Sequence, residues 1–341
     1  MEIGNQIKVL RQRRNITQEA LAQHFNVTPQ AVSKWERGMA TPDIGMLPEL
    51  SAFFGVTIDE LFAITDDTRM ERIQNMLWDA RYLEQADVDA ATEFLLDKAR
   101  REPNNGKPHA LLAEMENYIA KGHQELAAEY AMEALRRDHS IKQAHSELVC
   151  AMDGCCGDWC VNNHYALIEY YKEFVLKHPD YLSGYLWLID QLFDDNRLDE
   201  AEEYCQIIER MDHTFRAPYY RGMLTLLRGK QKEALKIFDD MEAAFSDDWL
   251  MYLSLGDAMV RVGNYEQAKI YYRKYNDNQK SPRYTDALTS IAQLCEIQGD
   301  YAGAIAAAEE EIAVLASDWD TTSGETVDQH LRKIEKLKRK L

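Results

Sequence analysis

Thr17-Gln-Glu-Ala-Leu-Ala-Gln-His-Phe-Asn-Val-Thr-Pro-Gln-Ala-Val-Ser-Lys-Trp-Glu-Arg-Gly38 decides how the first part of this 341-residue chain folds. Thr17 can cap a helix whose apolar residues Ala20, Leu21 and Phe25 recur at helical spacing, with Glu19 suited to its positive end. The spacing breaks at Phe25-Asn-Val27, a three-residue turn. Thr28 caps a second short helix, and Pro29 takes the first helical position, where a missing amide N–H costs nothing. Ala31, Val32 and Trp35 face inward. Thr28, Gln30, Ser33 and Lys34 face out, and Gly38 ends the helix.

Two short helices joined by a tight turn, the second carrying polar side chains outward, form a helix-turn-helix, whose second helix lies in the DNA major groove. Gln18-Glu-Ala-Leu-Ala22, Val32-Ser-Lys-Trp-Glu36 and Phe54-Gly-Val-Thr-Ile-Asp-Glu-Leu61 occur together in the order of the XRE family of repressors, which this stretch resembles from about Ile3 to Phe62. The resemblance implies a five-helix lambda-repressor-like DNA-binding domain. A first helix is expected over Glu2 to Arg14, a fourth over Ile44 to Phe54, and a fifth from Thr57 to near Phe62. It implies that Arg11 pairs internally with Glu36. Thr28, Gln30, Ser33 and Lys34 are expected to read base edges or adjacent phosphates, since Gln suits adenine and Lys suits guanine O6/N7. Gln18, Arg37 and Arg14 would hold register on the DNA backbone. Pro29 replaces a residue that contacts bases in some relatives, so no target sequence carries over.

Net charge is −19, unusual for a nucleic-acid binder. The first 64 residues hold six Lys/Arg against seven Asp/Glu, so nearly all the negative charge lies beyond them. Lys8, Arg11, Arg13, Arg14, Lys34 and Arg37 cluster at the motif, and an acidic body would keep DNA contacts at that head. No apolar run is long enough to span a membrane, and Met-Glu-Ile-Gly lacks the pattern of a secretory leader, so a cytoplasmic protein is expected. Cys150, Cys155, Cys156 and Cys160 fall close together between His145 and His164, but without a Cys-x-x-Cys pair. Buried reduced thiols are the default, so neither a metal site nor a cofactor is expected.

Beyond a polar break at Thr65-Asp-Asp-Thr68, a linker helix is expected from Arg69 to Glu84. The remainder is repetitive. Asn196-Arg-Leu-Asp-Glu-Ala201, Gly229-Lys-Gln-Lys-Glu-Ala234, Gly263-Asn-Tyr-Glu-Gln-Ala268 and Gly299-Asp-Tyr-Ala-Gly-Ala304 recur at a period near 34, and Gly122-His-Gln-Glu-Leu-Ala127 is a looser copy. This period resembles the tetratricopeptide repeat. Gly or Asn would make the turn inside each helical hairpin, and Ala five residues later would let its two helices approach. The fold class is therefore all-α: the five-helix head over 1–64, a linker over 65–86, and an α-solenoid of tetratricopeptide-like hairpins over 87–341. Leu331 to Leu341 is basic and amphipathic, a capping helix in preference to a nucleic-acid or partner contact.

No phosphate loop, nucleophile elbow or His-Glu-x-x-His pair is present, so no catalytic residue is expected. Solenoids bind partners along their inner faces. Counted from the turns, that face would carry Glu116, Asp190, Phe193, Tyr219, Met223, Asp257, Arg261 and Gln293. Such alternation of acids and aromatics suits a peptide with a basic group, and a groove that is empty or filled by a partner subunit is the other reading. An XRE head on a tetratricopeptide body resembles, in architecture, the regulators that sense short peptides as dimers. The expected function is a dimeric, sequence-specific transcriptional regulator on double-stranded DNA, with a palindromic operator and a peptide or protein ligand in the repeat groove. The alternative is a protein-interaction scaffold whose head is only a tether.

Overall fold

Capping side chains set the helices of the head. The computed structural model describes residues 3–62, 65–154 and 159–341, and the regular elements among them are helical throughout. α1 (Ile3–Arg13), α2 (Gln18–His24) and α3 (Pro29–Glu36) come first. The Thr17 hydroxyl accepts from the Ala20 amide, and the Thr28 hydroxyl from the Ala31 amide, each at 3.2 Å. Asn26 makes the turn between α2 and α3 at φ 52°, a left-handed conformation that Asn tolerates better than most residues. The expected fourth helix divides into a 3-10 turn at Ile44–Met46 and α4 (Leu47–Phe54). Pro48 has no amide to donate and fits only in the first turn of a helix, which forces the restart. α5 (Ile58–Leu61) opens on a reciprocal cap between Thr57 and Glu60. Ile3, Ile7, Leu10, Leu21, Val32, Trp35, Leu50, Phe54 and Leu61 close over one small core.

α6 (Asp66–Asp79) starts three residues earlier than the linker helix read from sequence, because the Thr65 hydroxyl accepts from the Thr68 amide and caps it. α7 (Gln85–Arg101) and α8 (Lys107–Arg137) follow. Ile73, Leu77, Val88, Leu95, Leu111 and Met115 form a second, separate core. The hairpin turn expected at Gly122 is absent: α8 runs through it. One helical Gly costs only about 1 kcal/mol, and helix-forming residues flank it on both sides. By packing, the chain divides into residues 1–122 and 123–341. Head, α6 and α7 thus share a unit.

In the second unit, α9 (Lys142–Ala151), α10 (Trp159–Asn162) and α11 (Tyr165–Lys177) precede four regular hairpins. These pair α12 (Leu182–Asp194) with α13 (Leu198–Met211), and α14 (Arg216–Leu227) with α15 (Gln231–Ala244). α16 (Trp249–Arg261) pairs with α17 (Tyr265–Asn278), and α18 (Asp286–Ile297) with α19 (Tyr301–Trp319). Asn196, Gly229, Gly263 and Gly299 make the four inner turns at positive φ, and Ala201, Ala234, Ala268 and Ala304 are fully buried five residues later. The basic terminus forms α20 (Glu325–Lys338), which buries Val327, Ile334 and Leu337 and pairs Lys333 with Glu296 of α18 at 3.0 Å. It packs on α19 as a cap. No helix among the described residues is long and apolar enough to cross a membrane.

Candidate nucleic-acid interface

α3 sends opposite faces to opposite environments. Val32 and Trp35 are buried in the head's core, while Thr28, Gln30, Lys34 and Arg37 are exposed and Ser33 is half-buried. Thr28 is also the cap of α3, so its hydroxyl is partly committed to the Ala31 amide. Arg37, just past the end of α3, donates from Nε to the Ser33 carbonyl at 3.1 Å.

Three helices are pinned at the end of α3 by one carboxylate. Arg11 donates to Glu36 from Nε at 2.5 Å and from its terminal amine at 3.0 Å, and also to the Ile16 carbonyl at 2.7 Å. Gln18 donates its amide nitrogen to Glu36 Oε2 at 2.7 Å. Burial acts to raise the Glu36 carboxyl, but the hydrogen bonds from Arg11 and Gln18 outweigh it and hold the group below its ordinary value. Gln18 therefore helps orient α3. Arg14 lies over the rings of Phe53 and Phe54, 5.0 and 5.9 Å from their centroids, so it packs α1 on α4 with its charge still exposed.

Gly4 was not singled out by the sequence. A Cβ there would stand 1.8 Å from the Trp35 carbonyl oxygen, so α1 and α3 touch backbone to backbone. A lone Gly early in a helix is the only signal, and it does not reveal what it touches.

In the body, the residues expected on the inner face separate into two groups. Asp190 on α12 accepts from the Tyr220 hydroxyl of α14 at 3.0 Å, and Asp257 on α16 accepts from the Tyr272 hydroxyl of α17 at 2.7 Å. Arg261 acts electrostatically on both carboxylates and on Tyr219, so these four residues of α12, α14 and α16 come together. Asp190 keeps an accessible carboxylate, yet surrounding protein displaces enough water to push it up to about 6. Phe193 and Met223 do not line a groove: at 7% and 3% exposure they are core. Gln293 is exposed on α18, and Glu116 is exposed on α8 in the first unit. Tyr220 and Tyr272, which hold the two acids, were not foreseen, since spacings of 30 and 15 residues leave no local pattern.

Cys155 and Cys156 lie outside the described residues. Cys150 and Cys160 are exposed, and no group of three potential metal ligands occurs among the described residues.

The helix-turn-helix family profile matches residues 7–61. An uncharacterised helix-turn-helix-type transcriptional regulator of Methanocaldococcus jannaschii, MJ0272, is 35% identical over 63 residues, 18% of this chain and 96% of that relative. The chain belongs to the XRE-type helix-turn-helix regulators. The transcriptional activator BcrR of Enterococcus faecalis is 44% identical to this regulator over 63 residues, 18% of the chain. The match spans 31% of BcrR, less than a third of that activator's length. The tetratricopeptide repeat profile matches residues 253–318, two hairpins of the regulator's body. Among solved structures, a tetratricopeptide repeat protein of Parabacteroides merdae aligns over 79% of this chain and 98% of its own, at 15% identity and TM-score 0.39. Bacillus thuringiensis PlcR, in complex with the peptide PapR7 and DNA, aligns over 87% of this chain and 97% of its own, at 13% identity and TM-score 0.24.

Proposed function

We propose that this regulator binds a specific DNA sequence through α3, as a cytoplasmic homodimer on a palindromic operator, and that its repeat body carries dimerisation and the sensing of a short peptide. One observation carries the reading of DNA: Gln30 and Lys34 stand exposed on a helix whose other face is locked by Val32, Trp35 and the Arg11–Glu36–Gln18 network, with exposed Arg37 just beyond its end. A rigid helix with free polar side chains is what base reading requires. Gln30 and Lys34 would contact base edges, with Thr28 and Ser33 beside them, while Arg37, Arg14 and Gln18 meet phosphates. Two heads would suit half-sites about 34 Å apart. Exposed Tyr165, Tyr170, Leu176, Tyr181 and Trp187 on and around α11 and α12 support pairing of two copies through the body. In this reading residues 1–64 are the reading head, 65–86 its linker, and 87–341 the sensing and dimerisation body.

The test is selection of bound fragments from a random DNA pool, at fixed salt, with the wild type and a Gln30→Ala/Lys34→Ala variant. A palindromic motif that the variant no longer enriches is the expected result. Each lost bidentate contact should cost roughly 1–3 kcal/mol. A motif enriched equally by the variant would remove α3 as the reader.

A further inference from the structure

Most basic side chains on the hairpins are spent on acids of their own fold. Arg221 contacts Glu202 at 2.6 Å and Glu209 at 2.7 Å, and Arg283 contacts Asp318 at 2.9 Å. Arg261 differs. It is exposed, it lies one turn beyond Asp257 on α16, and it feels both Asp257 and Asp190, yet it closes on neither. Each of those acids is held by a tyrosine hydroxyl instead. Tyr219, in the field of the same three charges, has a hydroxyl without a hydrogen-bond partner among the described residues.

This surface therefore holds two oriented carboxylates beside an uncommitted guanidinium and an uncommitted hydroxyl. A carboxylate that is poorly hydrated gains from an incoming cation. An open guanidinium fork matches a carboxylate in bidentate fashion. The surface extends from α12 to α16. With neighbouring helices packed about 8–10 Å apart, that span is roughly 16–20 Å. An extended chain of about five or six residues laid across all three helices covers it at ~3.3 Å per residue.

We infer that this surface binds a short peptide bearing both a cationic side chain and a free terminal carboxylate. Asp190 and Asp257 take the cation, and Arg261 with the Tyr219 hydroxyl takes the carboxylate. The inference rests on the sensing role proposed above and names the chemistry of the ligand.

Two pools of random hexapeptides, one with free and one with amidated C-termini, are each equilibrated with the full-length chain, and retained peptides are identified by mass spectrometry. The same is done with Arg261→Gln and with Asp190→Asn/Asp257→Asn, each checked by thermal melting for an intact fold. The wild type should retain Lys- or Arg-containing peptides, about tenfold more from the free-acid pool. Arg261→Gln should lose the preference for the free terminus, and the double Asn variant the preference for basic residues. Peptides retained without either preference, or with preferences that survive these substitutions, would overturn the inference and leave peptide sensing standing. Retention of no peptide would overturn both, while the DNA selection judges α3 independently.

Discussion

The Gly4 backbone and the Trp35 carbonyl oxygen are in such close approach that no side chain fits between them: a Cβ on Gly4 would stand 1.8 Å from that oxygen. Backbone meets backbone here, so no rotamer change can relieve the clash. Gly4→Ala should push α1 off α3 and cost about 1–3 kcal/mol of stability. Operator affinity should fall with it, although residue 4 carries no group to contact DNA. Urea denaturation and a binding titration would check this, and unchanged values for both would refute the close contact.

Glu36 is the junction of Arg11 and Gln18, with a side chain only 3% exposed. Glu36→Gln leaves the Arg11 guanidinium, itself 12% exposed, without its countercharge. Loss of one partner of such a pair costs about 3 kcal/mol or more. The Glu36 carboxyl is depressed in the fold below its ordinary 4.5. Its stabilisation is therefore complete above pH 4.5 and is lost as pH falls through the folded value. The acid limb of the stability curve should flatten in the Gln variant, as read by denaturant midpoints across pH.

Asp190 has the opposite sign. Its carboxyl rises from 3.8 to about 6, so the fold prefers it protonated. No penalty exists below pH 3.8, and the full penalty is present above about pH 6. Asp190→Asn keeps an oxygen to accept from Tyr220 and removes the charge. Melting temperature should rise at about pH 7.5 and stay level at about pH 3.5, with a small gain because the group is solvent-accessible. A gain equal at both pH values would show that charge is not the cause.

Gly222 and Gly256 stand 34 residues apart and play one role. A Cβ on Gly222 would meet the Phe238 ring at 2.4 Å, and one on Gly256 the Tyr272 ring at 2.3 Å. Either change to Ala should destabilise the body by about 1–3 kcal/mol through overpacking. Gly256→Ala should also disturb the Tyr272–Asp257 hydrogen bond and lower the preference for basic peptides, whereas Gly222→Ala, which moves the Phe238 ring beside Tyr219, should leave that preference intact. Paired melting and peptide-retention measurements separate the two effects.

What the sequence disclosed follows from the range of each cause. Thr17 and Thr28 cap the helix that follows them, and Asn196, Gly229, Gly263 and Gly299 sit in turns whose backbone needs them. Such signals act within four or five residues and can be read from a single chain. Thr65 belongs to the same class, but the three polar residues that follow it give the sequence there the look of a break. Gly122 misled for a related reason: it resembled the turn glycines, yet the residues around it continue a helix. The groove was half legible. Helical counting put Asp190, Tyr219, Asp257 and Arg261 on a common surface, but a face read from angle alone is uncertain by one residue at its edge, where Phe193 and Met223 fall into the core. Contacts such as Gly4–Trp35 and Tyr220–Asp190 depend on how whole helices meet, and nothing local announces them.

The equal spacing of the Gly222–Phe238 and Gly256–Tyr272 contacts has a consequence for how such a body can change through descent. One residue inserted within a hairpin helix would turn every later side chain by about 100°, carrying small residues away from the rings they admit. The lineage can lengthen or shorten this part only by copying or deleting entire hairpins, or by adding residues at the connections between them. Its units of inheritance are therefore pairs of helices, and reach along the body changes in steps of one pair.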